Sequence, residues 1–375
     1  RTRHRQPRPR EPDLLMNKGP NINTTDIAIV GWAQTPMLRR TELSETHLLV
    51  DVITDALAPL SLTRADIDFT CLGSCDYITG QPFSFVVNLD ALGAWPPKQD
   101  SHVEMDGAWA LYEAWLRLQH GDIEIAVVTG SGRSSTGDPA LIYPMEMDPY
   151  YLAPLGADPL TFAALQARAV IAAGIADERR MAEVAVRSRR DAIGNPYAQV
   201  SGNGDIDALL AGPYVRQPLR RHDLPPITDG ACAMVLATAD RARELREHPA
   251  FIRGLDHRTE CHNPSFRDLA DSPSVRIAAK VAGLGNGPVE VAELQAAFTH
   301  EELLLRHVLG LGDDVAVNKS GGALASNPIM ATGLCRIGYA ADHIFSGGSR
   351  SLAHSTSGPC LQQNLVCILE GEVSS

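Results

Sequence analysis

The chain reads as a duplicated α/β fold. Three features predict it: short apolar runs closed by glycine that suit buried strands, amphipathic helical stretches between them, and a second half that repeats the order of the first. With 375 residues it is long enough for two fused α/β units around a sizeable core.

The first unit starts at Asp26. Ile27-Ala28-Ile29-Val30, closed by Gly31, suits a buried strand. Ser44 then caps a helix whose apolar stripe is Leu48, Leu49, Val52, Ile53, Ala56 and Leu57. A second strand runs from Asp66 to Gly73, and Ser101 to Glu104 forms a short third one that turns at Asp106-Gly107 into a helix from Ala108 to Gln119. Ile123 to Val128 is apolar on both faces, hence central. In the second unit Phe251 to Gly254 is the opening strand, followed by a helix around Val275 to Val281 and a strand from Val289 to Leu294. Val315 to Asn318 is the short strand, Gly321-Gly322 the turn, and Pro328 to Ala340 the helix answering the one from Ala108. Closing strands Ala233 to Ala237 and Leu365 to Leu369 complete the match. The expected organisation is an extension at 1–25, a first half at 26–245 interrupted by a helical insertion at about 143–217, and a second half at 246–375. Phe162 to Ala173 and Glu178 to Ala192 are the insertion's helices, in a position suited to shaping a substrate pocket.

Composition narrows the function. Apolar residues make up 44% and charged residues 21%, the balance of a globular protein. The formal charge is -12, although residues 1–18 carry six basic and two acidic side chains, leaving -16 on the body. An acidic body argues against phosphate-backbone binding as the main activity, so no nucleic-acid partner is expected. The Arg- and Pro-rich arm reads as a disordered extension rather than a nucleic-acid arm or transit peptide, and Met16 could serve as a natural start. No apolar stretch has the length of a membrane span, and no signal peptide is evident. The seven scattered cysteines lack the spacing of a zinc site, so no metal is expected, and they suit a reducing, cytoplasmic setting.

Several segments together resemble the thiolases. Val103-Glu104-Met105-Asp106-Gly107-Ala108-Trp109-Ala110, with Val127-Val128-Thr129-Gly130, resembles the family's nucleophile region. Thr228-Asp229-Gly230-Ala231-Cys232-Ala233 resembles its Asp-Gly-Ala strand entry, and Asn318-Lys319-Ser320-Gly321-Gly322-Ala323 with Asn327-Pro328 resembles its Asn-x-x-Gly-Gly … His-Pro motif. Leu361 to Leu365 resembles the closing loop of sterol-carrier-protein thiolases. The match runs in order from about Asp26 to Gly371 and is nearest the lipid-transfer-protein branch, which includes aldolases that shorten steroid side chains. The resemblance implies a thiolase fold: a duplicated, five-layered α-β-α-β-α unit with a helical insertion in the first half.

The departures from the family pattern bear directly on chemistry. Where a thiolase has its nucleophilic cysteine, this chain has Glu104; where the family has the His-Pro histidine, Asn327 stands; and Gln295 occupies the position of a further histidine or asparagine. Thiolysis needs a thiolate, and a carboxylate at Glu104 is no substitute. Retro-aldol cleavage of a β-hydroxyacyl thioester needs only a base and donors aimed at the thioester oxygen. Under that reading Asn327 donates to the oxygen, with backbone N–H groups near Ser357, Gly358 and Gly322 as further donors and Glu104, Asp106 or Tyr339 as the base. Coenzyme A enters as part of the substrate and no cofactor is bound.

Each residue also has a plain structural reading. Acids at Glu104 and Asp106 suit a helix start. Asn327 before Pro328 suits a helix cap. Gln295 reads as a pocket residue, Tyr339 as core, Gly322 as a tight turn, and His300 and Glu301 as another helix start. Two other functions stay open: a non-catalytic lipid-binding partner subunit, and an acyltransferase using Cys360 or Cys232 as nucleophile. The resemblance further implies a homodimer and a small zinc-ribbon/OB-fold partner protein that helps hold the acyl-CoA.

Overall fold

The computed structural model describes residues 26–80 and 82–372; the basic arm at 1–25 lies outside the described residues. Strand β1 (Ile27–Gln34) leads to α1 (Glu45–Leu57), β2 (Phe69–Gly73), the short helices α2 (Asp76–Thr79) and α3 (Leu89–Leu92), and β3 (Gln99–Val103). Helix α4 (Gly107–Leu118) and strand β4 (Ile125–Arg133) follow. The chain then leaves the sheet for α5 (Pro139–Glu146), α6 (Pro159–Ala172), α7 (Glu178–Asp191), α8 (Ile206–Leu210) and a hairpin of β5 (Tyr214–Arg216) and β6 (Leu219–Arg220). It returns in β7 (Asp229–Thr238) and α9 (Ala239–Leu245). The second half comprises β8 (Ala250–Thr259), α10 (Pro273–Val281), β9 (Val291–Leu294), α11 (Thr299–Leu309), β10 (Ala316–Val317), α12 (Thr332–Phe345), β11 (Arg350–Ser357) and β12 (Gln363–Glu370).

The duplication is visible in the sheet. The strand order is β3-β2-β4-β7-β1 in the first half and β10-β9-β11-β12-β8 in the second. Numbered within its own half, each reads 3-2-4-5-1, with the first three positions parallel and the last two antiparallel. The halves join where β1 pairs antiparallel with β8, at Ala28–Phe251 and Ile29–Ala250.

Alternation along the strands builds the layers. On β7, Cys232, Met234 and Leu236 face one core while Ala231, Ala233, Val235 and Ala237 face another. On β12, Leu365, Cys367 and Leu369 join that same first core, and Val366 and Ile368 point into a third. The shared core encloses α4 and α12 between the two half-sheets; α1 covers the outer face of the first half, and α10 and α11 that of the second. Five layers result. The helix read from Ser44 is present as expected, with the Ser44 hydroxyl accepting the His47 N–H at 3.3 Å and its apolar stripe buried.

Helix α12 departs from the sequence reading. It begins at Thr332, not Pro328, and residues 328–331 form a loop with Met330 at φ 77°. Pro328 is therefore not the first helical residue, and Asn327 does not cap α12 in the manner Asn-Pro suggested. Glycines let this loop lie against the first half: a Cβ on Gly130 would fall 2.5 Å from the Met330 carbonyl oxygen, and one on Gly132 would run into that of Ile329. Gly132→Ala is expected to cost about 3 kcal/mol, the upper end for overpacking a rigid backbone contact. Gly174→Ala, at a left-handed turn with no neighbour within 4 Å, should cost about 1 kcal/mol. Urea denaturation of the pair checks this, and equal losses would contradict the contact.

Candidate active site

Four segments meet around the N-termini of α4 and α12: the turn from β3 into α4, the loop before α12, the loop after β9, and the turn between β11 and β12. Asp106 ties the first two together. Its carboxylate is buried and accepts the Ala108 N–H of α4 at 2.9 Å, and the Gly333 and Leu334 N–H groups of α12 at 3.0 and 3.1 Å. One side chain thus caps two helices, which explains how α12 starts behind Ala331, a residue with no capping side chain. Burial pushes the Asp106 pKa up, against the pull of the three N–H groups and of Arg336. Beneath the same end of α12, Arg336 forms a buried ion pair with Glu293 at 2.9 Å, and both bond Ser320.

The two amides singled out in the sequence are both fixed by their oxygens. Asn327 Oδ1 accepts the Thr332 hydroxyl at 3.0 Å. Gln295 Oε1 accepts the Ser355 hydroxyl at 2.7 Å and the Thr356 N–H at 3.1 Å. With each oxygen taken, the NH₂ group is the end left to donate, and among the described residues neither NH₂ has an acceptor. Both amides are half-buried. They belong to one locale: Thr332 adjoins Gly333, and a Cβ on Gly333 would collide with Ser355 Oγ and lie 2.7 Å from Asp106 Oδ1. Two oriented N–H donors beside the start of a helix are suited to holding negative charge that develops on an oxygen.

The other sequence candidates are placed differently. Glu104 is half-exposed; its Oε1 accepts the Asp76 N–H at 2.6 Å and its Oε2 lies 3.5 Å from His102. The carboxylate therefore reaches toward the start of α2, one residue past the end of β3. Tyr339 lies two turns into α12, where its hydroxyl accepts from Gln34 at 2.5 Å and Asn195 at 2.7 Å and its ring meets Trp32 edge-on; burial raises its pKa. Gly322 has φ 65° and its N–H is engaged by Ser320 Oγ. Ser357 ends β11, and exposed Gly358 makes a left-handed turn.

Neither cysteine is poised for attack. Cys360 is buried, its thiol donates to the Phe162 carbonyl at 3.4 Å, and burial pushes its pKa up to about 12. Cys232 lies inside β7, where burial and then neighbouring Cys335 raise its pKa far above the ordinary thiol value. Both are thiols at neutral pH, without the nucleophilic thiolate.

The sequence marks Glu301 only as a helix start. Beyond its place at a helix start, it is buried and accepts the Ala297 and Phe298 N–H groups at 2.8 and 3.1 Å, fixing the loop that carries Gln295. Burial raises its pKa to about 7. The sequence does not mark Thr332, Ser355 or Thr356, which orient the amides and carry no motif of their own. Among the described residues no group of three or more His, Cys, Asp or Glu is placed to hold a metal ion.

No protein-family model matches the chain. It is 25% identical to the acetyl-CoA acetyltransferase of Methanothermobacter thermautotrophicus over 344 residues, 83% of this chain and 88% of the relative. It is 26% identical to the 17-hydroxy-3-oxo-4-pregnene-20-carboxyl-CoA lyase of Mycobacterium tuberculosis over 245 residues, 60% of this chain and 61% of the relative. Among solved structures, the Ltp2–ChsH2(DUF35) aldolase superposes with a TM-score of 0.76 at 20% identity, covering 92% of this chain and 98% of that one. Human mitochondrial 3-ketoacyl-CoA thiolase superposes at 0.74 and 15%, covering 93% and 99%.

Two stability predictions follow from the buried carboxylates. Asp106→Ala leaves three buried N–H groups without an acceptor and should cost about 3 kcal/mol or more in denaturant unfolding, with Asp106→Asn in between because one amide oxygen still accepts. For Glu301, the folded chain keeps a proton between pH 4.5 and about 7 that the unfolded chain has released. Its raised pKa makes stability fall as pH rises through that window, by on the order of 3 kcal/mol. Glu301→Gln should flatten that part of the profile, and an unchanged slope would place the titration elsewhere. These likenesses, which for the acetyltransferase and the two solved structures span most of the chain, make it thiolase-like in fold, and the similarity to the steroid CoA lyase and the Ltp2–ChsH2 aldolase supports a resemblance to the lipid-transfer branch.

Proposed function

We propose that the chain is a thiolase-like enzyme acting on a CoA thioester, and that it cleaves a carbon–carbon bond of a β-hydroxyacyl-CoA by a retro-aldol route. The observation that carries this is the pair of amides, Gln295 and Asn327, each with its oxygen locked and its NH₂ without an acceptor among the described residues. The names of two similar proteins, a steroid CoA lyase and an aldolase, support the same reaction class. In the proposed step a base takes the β-hydroxyl proton, the oxygen's electron pair forms the ketone, and the Cα–Cβ bond breaks. Its electrons move into the thioester as an enolate, which the two amides stabilise at oxygen until a proton returns to Cα. The products are a shorter acyl-CoA and a ketone.

The base is assigned to Glu104. Of the three groups considered, Asp106 is enclosed by backbone N–H groups and Tyr339 by two side-chain amides, while Glu104 is half-exposed. The buried thiols of Cys360 and Cys232 weigh against acyl transfer. As for partners, β3 is an edge strand, and the segment leading into it carries the exposed Phe83 and Trp95, which suits pairing with a second copy in a homodimer. An OB-fold partner is proposed because the solved aldolase is named with a DUF35 component. No helix among the described residues is long and apolar enough to cross a membrane; placement in the cytoplasm belongs to the proposal.

The test incubates the protein, alone and with OB-fold partners, with a branched β-hydroxyacyl-CoA and follows products by mass spectrometry without free CoA. Asn327→Ala and Gln295→Ala should each lower kcat by about 10²–10³ with little change in KM, the usual cost of removing one oxyanion donor. Glu104→Gln should abolish turnover. Cleavage that requires added CoA would instead indicate acyl transfer, and tight binding without product under any condition would indicate a non-catalytic subunit.

A further inference from the structure

A cleft of about 670 Å³ opens between α7 and α11, away from the amide pair, and a neighbouring hollow of about 340 Å³ continues it toward β10. The size falls within the usual range of small-molecule sites. Arg180, Arg187 and Arg190 of α7 line it together with Arg306 of α11, and Lys319 lines the extension. Acidic residues are fewer on these walls: Glu183, Asp313 and Asp314. An excess of cations is notable in a chain whose formal charge is -12.

The state of these arginines matters more than their number. Among the described residues Arg180 bonds only a backbone carbonyl, that of Ile175, at 2.6 Å. Arg306 pairs at 3.0 Å with Asp313, a carboxylate fully exposed to water and hence a weak competitor. Arg190 meets its neighbour Asp191 at 3.3 Å. Arg187 is held on both oxygens of buried Glu302 at 2.5 Å, yet its Nε–H is buried without a partner among the described residues. Guanidinium forks match the oxygens of a phosphate group better than a single carboxylate.

We infer that this cleft binds a phosphorylated small molecule through Arg180, Arg187 and Arg306. The position has a structural link to the amides: Glu302 also accepts from Asn318 at 2.9 Å, and Asn318 Oδ1 accepts the N–H of Leu294, the residue before Gln295. An occupant at Arg187 therefore sits on the network that fixes the Gln295 backbone. Two sources share this chemistry, a free phosphorylated effector and the nucleotide end of a CoA thioester.

The test titrates inorganic pyrophosphate into the full chain by calorimetry at low ionic strength, where charge contacts are least screened. Arg180→Gln/Arg306→Gln is the comparison, with Arg180→Gln alone as a milder second variant; Arg187 is left intact because its loss would strand Glu302. Saturable one-to-one binding that weakens about tenfold or more in the double variant is expected. If CoA titrated into the same proteins weakens in parallel, the cleft holds the nucleotide end; if only pyrophosphate weakens, the ligand is a separate effector. No saturable pyrophosphate binding, or equal binding by wild type and both folded variants, overturns the inference. None of these readouts depends on the lyase reaction.

Discussion

The Asp106 carboxylate is the constraint on which the arrangement of the site rests. Among the described residues it is the only side-chain cap at the start of α12, and it simultaneously caps α4 from the other half of the molecule. The N-terminal dipoles of both helices converge on one buried anion-binding position, which offsets part of the cost of burying a carboxylate. Because Gly333 must fit between Asp106 and Ser355 with no room for a Cβ, the same contact fixes how close β11 lies to the helix start. Thr332 and Ser355 are then in place to hold the oxygens of Asn327 and Gln295. The geometry of the amide pair is inherited from a capping interaction two residues beyond Glu104.

The fold was largely legible in the sequence because the core is made of strands buried on both faces. Such strands appear as continuous apolar runs, and two sets in the same order mark a duplication without any knowledge of contacts. The start of α12 was not legible, for a definite reason. Asn327-Pro328 looks like a cap and a first helical turn, whereas the residue that sets the boundary lies 227 positions away along the chain. Local signals lose to a tertiary cap of this kind.

The site divides along the same line. That positions 295 and 327 carry amides could be read from their place in the motifs. Their orientation could not, since it depends on hydroxyls at 332 and 355 and a backbone N–H at 356. Glu104 shows the same limit. Register alone puts it at the nucleophile position, but the side chain meets the Asp76 N–H at the start of α2, a destination set by how the loop after β2 folds. Glu301 was read as an ordinary helix-start acid because sequence gives charge and position but not burial, and burial is what moves its titration to about 7.

A thiolate and a pair of amides solve different chemical problems. The thiolate adds to a carbonyl and must later be released, so it needs an acceptor as well as an oxyanion site. Amides fixed by their oxygens only stabilise charge, and that suffices when the bond being broken leaves an enolate on a thioester and a neutral ketone. In this chain the thiols lie in apolar surroundings that keep them protonated, while the loops that would surround a covalent intermediate hold polar donors tied to the rigid starts of two helices. Decay of a thiolase would be expected to loosen those loops. Instead, the amide oxygens and the Asp106 carboxylate are all matched with donors, while the two NH₂ groups have no acceptor among the described residues, the arrangement that the proposed oxyanion site requires.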